Sequence, residues 1–225
     1  MTLSGMNWKA HPSFDGHEDV VFVGGEAQGF AGIIAVHSTA IGPAAGGCRI
    51  WDYNSADDAL TDALRLSRGM TYKNAMADLP LGGGKAVIYR INTNRVDAFQ
   101  KFGDAVEKMG GKYITAEDVG ATVADMRAIA RSTSYVAGIP KEAGQAGGDP
   151  SPMTALGVFV SIKALLGGAV QGRTIAVQGV GNVGWNLCKL LSEEGAKLVV
   201  ADLNKTNLQR AEALGVEIAP VDQIH

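Results

Sequence analysis

The sequence predicts an α/β protein of two domains, the first over residues 1–148 and the second over 149–225. Three observations predict it. Strand-like and helix-like segments alternate up to Gly138. From Ile139 to Pro152 the chain turns rich in Gly, Pro, Gln and Asp, which marks a connection between domains. Beyond it come a strand, a glycine turn, a helix and a second strand, in the order of a mononucleotide-binding half.

The elements follow from local chemistry. Residues 20–23 and 30–37 read as strands, with Gly24-Gly25 as the turn between them. Ser55-Ala56-Asp57-Asp58 is a helix start with acids in its first turn, and Leu60, Ala63 and Leu64 share one face of that helix. Residues 86–89 read as a short buried strand. A second helix begins near Asn94, buries Phe99, Phe102 and Val106, and stops at Gly110-Gly111. A strand at 112–115 delivers Ala116-Glu117-Asp118 into a loop, and a third helix follows Thr122. Residues 144–150 form the connection between the domains. Ser151-Pro152 then cap a helix carrying Leu156, Phe159, Ile162 and Leu166, which Gly167-Gly168 end. Strands at 174–178, 198–201 and near 216–218, with a helix from Trp185 to Glu194, complete the set.

Composition narrows the function classes. A 46% hydrophobic, 19% charged chain of net charge −3 is an ordinary globular protein without a nucleic-acid footprint. No apolar run is long enough to span a bilayer, so no membrane partner is expected. The early Asn7, Lys9, His11 and Pro12 do not read as a signal peptide. Cys48 and Cys188 lie far apart without metal-type spacing, which predicts a reducing, cytoplasmic setting and no metal.

The first candidate site is lysine-based. Lys73 is followed twelve residues later by Lys85, at the end of Pro80-Leu81-Gly82-Gly83-Gly84-Lys85. Three consecutive glycines indicate a backbone conformation or close approach that a Cβ would forbid. The expectation is a lysine held where a loop meets a strand, with bare backbone beside it for a small molecule. A lysine near a second ammonium and partly removed from water has a lowered pKa, which suits acid/base chemistry. Asp118 between the two lysines would balance their charge. A structural ion pair from helix to loop is the alternative role for Lys73 and Asp118.

The second candidate site is Gly179-Val180-Gly181-Asn182-Val183-Gly184, between the strand at 174–178 and a helix. Gly179 permits the tight turn, Gly181 lets a pyrophosphate approach the backbone, and Gly184 lets helix and strand pack closely. The helix N-terminus offers unpaired N–H groups and partial positive charge to the diphosphate. Asp202, at the end of the next strand, is placed to accept from ribose hydroxyls, which favours NAD over NADP; Lys205 nearby would soften that preference. This is the first half of a Rossmann domain.

Five ordered motifs carry a resemblance: Gly42-Pro43-Ala44-Ala45-Gly46-Gly47-Cys48-Arg49, Gly69-Met70-Thr71-Tyr72-Lys73-Asn74-Ala75, Leu81-Gly82-Gly83-Gly84-Lys85, Thr115-Ala116-Glu117-Asp118-Val119-Gly120, and the GVGNVG turn. From about residue 14 onward the chain resembles the Glu/Leu/Phe/Val amino-acid dehydrogenases, closest to those acting on leucine and phenylalanine. The resemblance implies NAD-linked oxidative deamination of an L-amino acid to a 2-oxo acid and ammonium. It makes the first domain the substrate-binding and oligomerisation domain of a homo-oligomer. It implies that Lys73 holds the substrate α-carboxylate, that Lys85 activates water, and that Asp118 exchanges protons with the amino group. It places Thr154 beside the nicotinamide, Arg49 near the cofactor, and Met70, Ala45 and Gly46 at the substrate. The Thr154 hydroxyl serves equally as a helix cap, Arg49 reads equally as structural, and His37, in an alternating strand, reads as a structural histidine and not as a catalyst.

Glutamate-specific relatives carry a lysine where this chain has Ala45, so apolar substrates are expected. Only one mononucleotide half is legible before residue 225, so the chain is expected to be a fragment or a shortened product. On the alternative reading it acts only as an assembly or nucleotide-binding module.

Overall fold

The computed structural model describes residues 6–140 and 147–224. Of the expected connection at 144–150, residues 144–146 therefore lie outside the described residues. The chain divides into two compact units, Met1–Asp149 and Pro150–His225.

The first unit holds β1 (Asp19–Gly25), β2 (Phe30–Ser38), β3 (Ala44–Ile50), α1 (Ala56–Met76), β4 (Gly82–Ile91), α2 (Arg95–Glu107), β5 (Tyr113–Glu117) and α3 (Val123–Ile129). Its five strands form one sheet in the order β1-β2-β4-β3-β5. β1 and β4 run antiparallel to β2, while β4 and β5 run parallel to β3. Residues 30–36 of β2 are buried without a break, which requires cover on both faces of the sheet. Ile33 and Ala35 pack with Leu60, Ala63 and Leu64 of α1. Ile34 and Val36 belong to the other core, with Phe99, Phe102 and Val106 of α2 and Ile129 of α3. Burying each of these large side chains stabilises the layer by about 1.5–3 kcal/mol.

Helix ends match their residues. Ser55 Oγ accepts from Asp58 N at the start of α1. Asn94 caps α2, and Thr122 with Asp125 closes a full capping box on α3.

Four expectations need correction. Gly24 and Gly25 lie in β1, paired with Ala31 and Phe30, and the reversal is a 3-10 turn at Glu26–Gln28. Gly82–Gly84 belong to β4 and form no loop. A Cβ on Gly82 would strike the Ser38 carbonyl oxygen, on Gly83 the Thr71 side chain and Ser67 carbonyl, and on Gly84 the Tyr113 ring at 2.6 Å. The triplet is thus bare because protein packs against it, and β4 approaches α1 closely for that reason. Ala116 and Glu117 belong to β5, so Asp118 is the first residue beyond the strand. In the second unit Pro150 occupies the cap position of its first helix, and Ser151 is already helical.

The second unit comprises α4 (Ser151–Leu165), β6 (Thr174–Gln178), α5 (Asn182–Glu193), β7 (Lys197–Ala201), α6 (Lys205–Glu212) and β8 (Glu217–Ile218). The strands form a parallel sheet in the order β6-β7-β8, with a helix in each crossover. Phe159, Val177, Leu187, Leu191, Leu198 and Val200 share its core. Gly167 and Gly168, both at positive φ, follow the end of α4.

Candidate active site

Strand register brings the first site together. Cys48 of β3 pairs with Ala86 of β4 on one side and Glu117 of β5 on the other. Lys85, Arg49 and Asp118 each lie one residue from that row. Gly47 makes the meeting possible: its missing Cβ would fall 2.6 Å from the Glu117 carbonyl oxygen and 2.7 Å from Asp118 Cβ. Beyond Asp118, Arg95 donates to both Asp125 oxygens and to the Gly120 carbonyl, which fixes the returning loop.

Lys85 is 5% exposed and donates from Nζ to Asp118 Oδ2 at 2.7 Å. Arg49 Nε donates to the same oxygen at 3.0 Å. Arg49 Nη1 donates to Asp62 Oδ2 at 2.8 Å, and the Tyr53 hydroxyl donates to that oxygen at 2.6 Å. Among the described residues Asp118 Oδ1 accepts no hydrogen bond. Burial pushes the Lys85 ammonium below the ordinary lysine value of 10.5; Asp118 opposes the shift and Arg49 adds to it. Burial pushes Asp118 upward, but the hydrogen bonds and charges of Lys85 and then Arg49 hold it below 3.8. Burial thus favours the neutral form of Lys85, while its neighbours favour the ionised form of Asp118.

The cation beside this pair is therefore Arg49, where a second lysine was expected. Lys73 is exposed in the last turn of α1, and its Nζ has no partner among the described residues. Asn74 next to it donates to the Gly82 carbonyl at 2.6 Å, tying the end of α1 to the start of β4. Met70 is half-buried, with its Cγ 3.2 Å from where a Cβ of Gly46 would stand. Ala45 is paired with Gly83 on one side and Ile114 on the other, so β3 presents it beside the glycine triplet. His37 accepts from or donates to Thr71 Oγ1 at 2.8 Å and stacks edge-on against His17, a structural role. Nothing in the spacing of Asp62 and Tyr53 singles them out in the sequence.

The second site is the turn after β6. Gly179 has a φ of +86°, which L side chains resist. A Cβ on Gly181 would meet nothing within 4 Å, so the turn is open there. Gly184 would strike the Gly179 carbonyl oxygen, so its bareness closes helix onto turn. Gly181 caps α5 without a side-chain hydrogen bond, and Asn182 and Val183 open the helix. Asp202 Oδ2 accepts from Val180 N at 2.8 Å and from Asn207 Nδ2 at 3.0 Å, while Oδ1 accepts from Asn204 N at 2.7 Å. Asp202 thus braces the turn. Thr154 is exposed, and its hydroxyl donates back to the Pro150 carbonyl at 3.0 Å. Among the described residues no helix is long and apolar enough to cross a membrane, and no cluster of His, Cys, Asp and Glu could hold a metal.

The first unit thus carries a buried lysine–carboxylate pair, and the second an open glycine turn on a helix N-terminus. The family model "Glu/Leu/Phe/Val dehydrogenase, dimerisation domain" matches residues 17–135, and "Glutamate/Leucine/Phenylalanine/Valine dehydrogenase" matches 147–216. The chain belongs to the Glu/Leu/Phe/Val dehydrogenase family. It is 50% identical over 218 residues to leucine dehydrogenase of Bacillus subtilis, covering 93% of this chain and 59% of that protein. It is 44% identical over 202 residues to phenylalanine dehydrogenase of Bacillus thermotolerans, covering 86% of this chain and 52% of that protein. The crystal structure of L-tryptophan dehydrogenase from Nostoc punctiforme superposes with a TM-score of 0.67 at 40% identity, covering 93% of this chain and 60% of that one. The chain thus spans a little over half the length of these relatives.

Proposed function

We propose that the protein catalyses NAD-linked oxidative deamination of an apolar L-amino acid to the 2-oxo acid, ammonium and NADH. The observation that carries this reading is the Lys85–Asp118 pair, 2.7 Å apart with Lys85 at 5% exposure, in a unit that also offers the exposed Lys73. Lys73 binds the α-carboxylate as a point charge. Asp118 takes a proton from the substrate ammonium, making the amine whose α-carbon can release hydride. Lys85, unprotonated, then draws a proton from water as its oxygen attacks the imino carbon; Asp118 returns a proton to the nitrogen, the C–N bond breaks, and the hydroxyl proton passes to the departing ammonia, leaving the 2-oxo acid and ammonium. When bound, the nicotinamide supplies the hydride acceptor. The open turn at Gly181 and the bare N-terminus of α5 fit a diphosphate there. Asp202 Oδ1 fits a ribose hydroxyl and would repel a 2′-phosphate, which supports NAD over NADP.

The substrate class rests on Ala45. With no cation at that position, burying a second substrate carboxylate would cost several kcal/mol. Leucine, valine, isoleucine, phenylalanine and tryptophan form the candidate set, in keeping with the activities named for the relatives. The first unit, matched by a dimerisation-domain model, is proposed to form a homo-oligomer. The protein is proposed to act in the cytoplasm.

The test is NADH formation with each of these amino acids and with glutamate. Turnover with apolar substrates and a much lower kcat/KM for glutamate are expected, and Ala45→Lys should raise relative glutamate activity. Comparable kcat/KM for glutamate and leucine contradicts the substrate assignment. Adenine-nucleotide binding without any amino-acid-dependent NADH supports the nucleotide-binding module instead.

A further inference from the structure

Asp118 is held on one side only. Its Oδ2 accepts from Lys85 and Arg49 together, while Oδ1 accepts nothing among the described residues. Arg49 reaches that oxygen through Nε alone, because its Nη1 is committed to Asp62. The guanidinium is planar, so fixing Nη1 on Asp62 also fixes the direction of Nε. Asp62 is in turn pinned: the one oxygen that accepts from Arg49 also accepts from the Tyr53 hydroxyl. Burial and then Asp62 push the Tyr53 phenol above its ordinary range, so it remains a donor at any working pH. The relay runs from the segment after β3, through α1, back to β3 and then to the loop after β5.

We propose that Arg49 is a positioning residue, held by Asp62 and Tyr53, that locks Asp118 through Oδ2 and leaves Oδ1 as the oxygen facing the substrate's amino group. This rests on the reading of Lys85 and Asp118 as the reacting pair. Both carboxylates would otherwise be free to rotate about χ2, and either Asp118 oxygen could turn toward Lys85. With the relay in place, one oxygen is structural and the other works.

Tyr53→Phe is the clean probe, because it removes one hydrogen bond, changes no charge and touches neither Lys85 nor Asp118. The groups acting on Lys85 are Asp118 from the loop after β5 and Arg49 and Cys48 from β3. Releasing Arg49 from Asp62 moves its charge away from Lys85, so the Lys85 titration midpoint rises. Competitive labelling with acetic anhydride across pH, with the Lys85 peptide quantified by mass spectrometry, reads that midpoint without requiring turnover. The expected result is an upward shift in Arg49→Gln, a smaller upward shift in Tyr53→Phe, and little change in Arg49→Lys. Kinetics supply the second readout. Arg49→Lys keeps the charge but loses the fork, so kcat for an apolar amino acid should fall about tenfold with KM nearly unchanged. An unmoved Lys85 midpoint in both Tyr53→Phe and Arg49→Gln overturns the proposal, as does full kcat in Arg49→Lys. If the wild-type protein turns over no amino acid, the proposed reaction fails, while the labelling result still decides the relay. Should Arg49→Gln not fold, Tyr53→Phe alone decides it.

Discussion

Lys85 and Asp118 meet at 2.7 Å although 33 residues separate them, because β3 lies between their strands and carries glycine where they cross. A side chain at Gly47 would occupy the space that Asp118 Cβ needs. The pair is therefore a property of the sheet, built by register and by one absent methyl group, before any ligand arrives.

The two lysines should fail differently. Lys85→Ala should abolish turnover with dinucleotide affinity nearly unchanged, since the glycine turn belongs to the other unit. Lys73→Ala should mainly raise KM for the amino acid, because it removes a contact made equally in ground and transition states. Steady-state kinetics with calorimetric titration of NADH separates the two. The same pattern in both variants would show that the roles are wrongly divided.

Close packing around Gly47 and Gly83 gives a second test. Gly83→Ala drives a methyl group into Thr71 and the Ser67 carbonyl, and should destabilise the fold by about 1–3 kcal/mol or more. Gly47→Ala displaces Asp118 directly, so it should cost activity beyond its effect on thermal stability. Equal kcat in Gly47→Ala and wild type would contradict the geometry.

The pH dependence follows from the signs of the shifts. Deamination needs Lys85 unprotonated, so its rate should rise with pH and reach half-maximum below 10.5. Folded Asp118 and Asp125 titrate below 3.8, so their stabilisation is present above that value and lost as pH falls through their lower folded values. His17 behaves in the same sense. Its Nδ1 accepts from Asp15 N and its Nε2 donates to the Leu64 carbonyl, which defines a neutral ring. Burial lowers its pKa below 6.5, so its contribution is complete above 6.5 and declines as pH falls toward the folded value. Thermal melts from pH 7 to 4 should show that decline, and His17→Gln should flatten it.

At the second site, Asp202 carries two loads. Asp202→Ala should erode preference for NAD over NADP and also loosen the turn, because Val180 N loses its acceptor. Asp202→Asn keeps an acceptor for Val180 and removes the charge. It should relax specificity with less loss of overall nucleotide affinity. Identical calorimetric profiles for the two variants would show that charge, and not bracing, is the dominant role.

Much of this site was legible in the sequence because its residues break expectation locally. A glycine triplet before a lysine and a GxGxxG turn between a strand and a helix both stand out against an ordinary fold. The glycine triplet nevertheless misled as to its element. Gly82, Gly83 and Gly84 carry no side chains whose alternation could announce a strand, and β3 hid for the same reason at Gly46 and Gly47. Asp62 and Tyr53 could not be found that way. Asp62 looks like any polar helix residue flanking the Leu60–Leu64 face, and only the folded register brings Arg49 to it. For Arg49 the sequence leaves a cofactor role and a structural role equally open, and its Nε and Nη1 contacts join it to Asp118 and Asp62.

The most direct test of the central claim is Asp118→Asn, assayed for NADH formation with leucine beside the wild-type protein, with folding checked by circular dichroism. The substitution keeps the shape of the side chain and removes its charge and its basicity. The expected result is a folded protein that has lost most activity in both the deaminating and aminating directions. A folded Asp118→Asn protein that turns over leucine at the wild-type rate would contradict it.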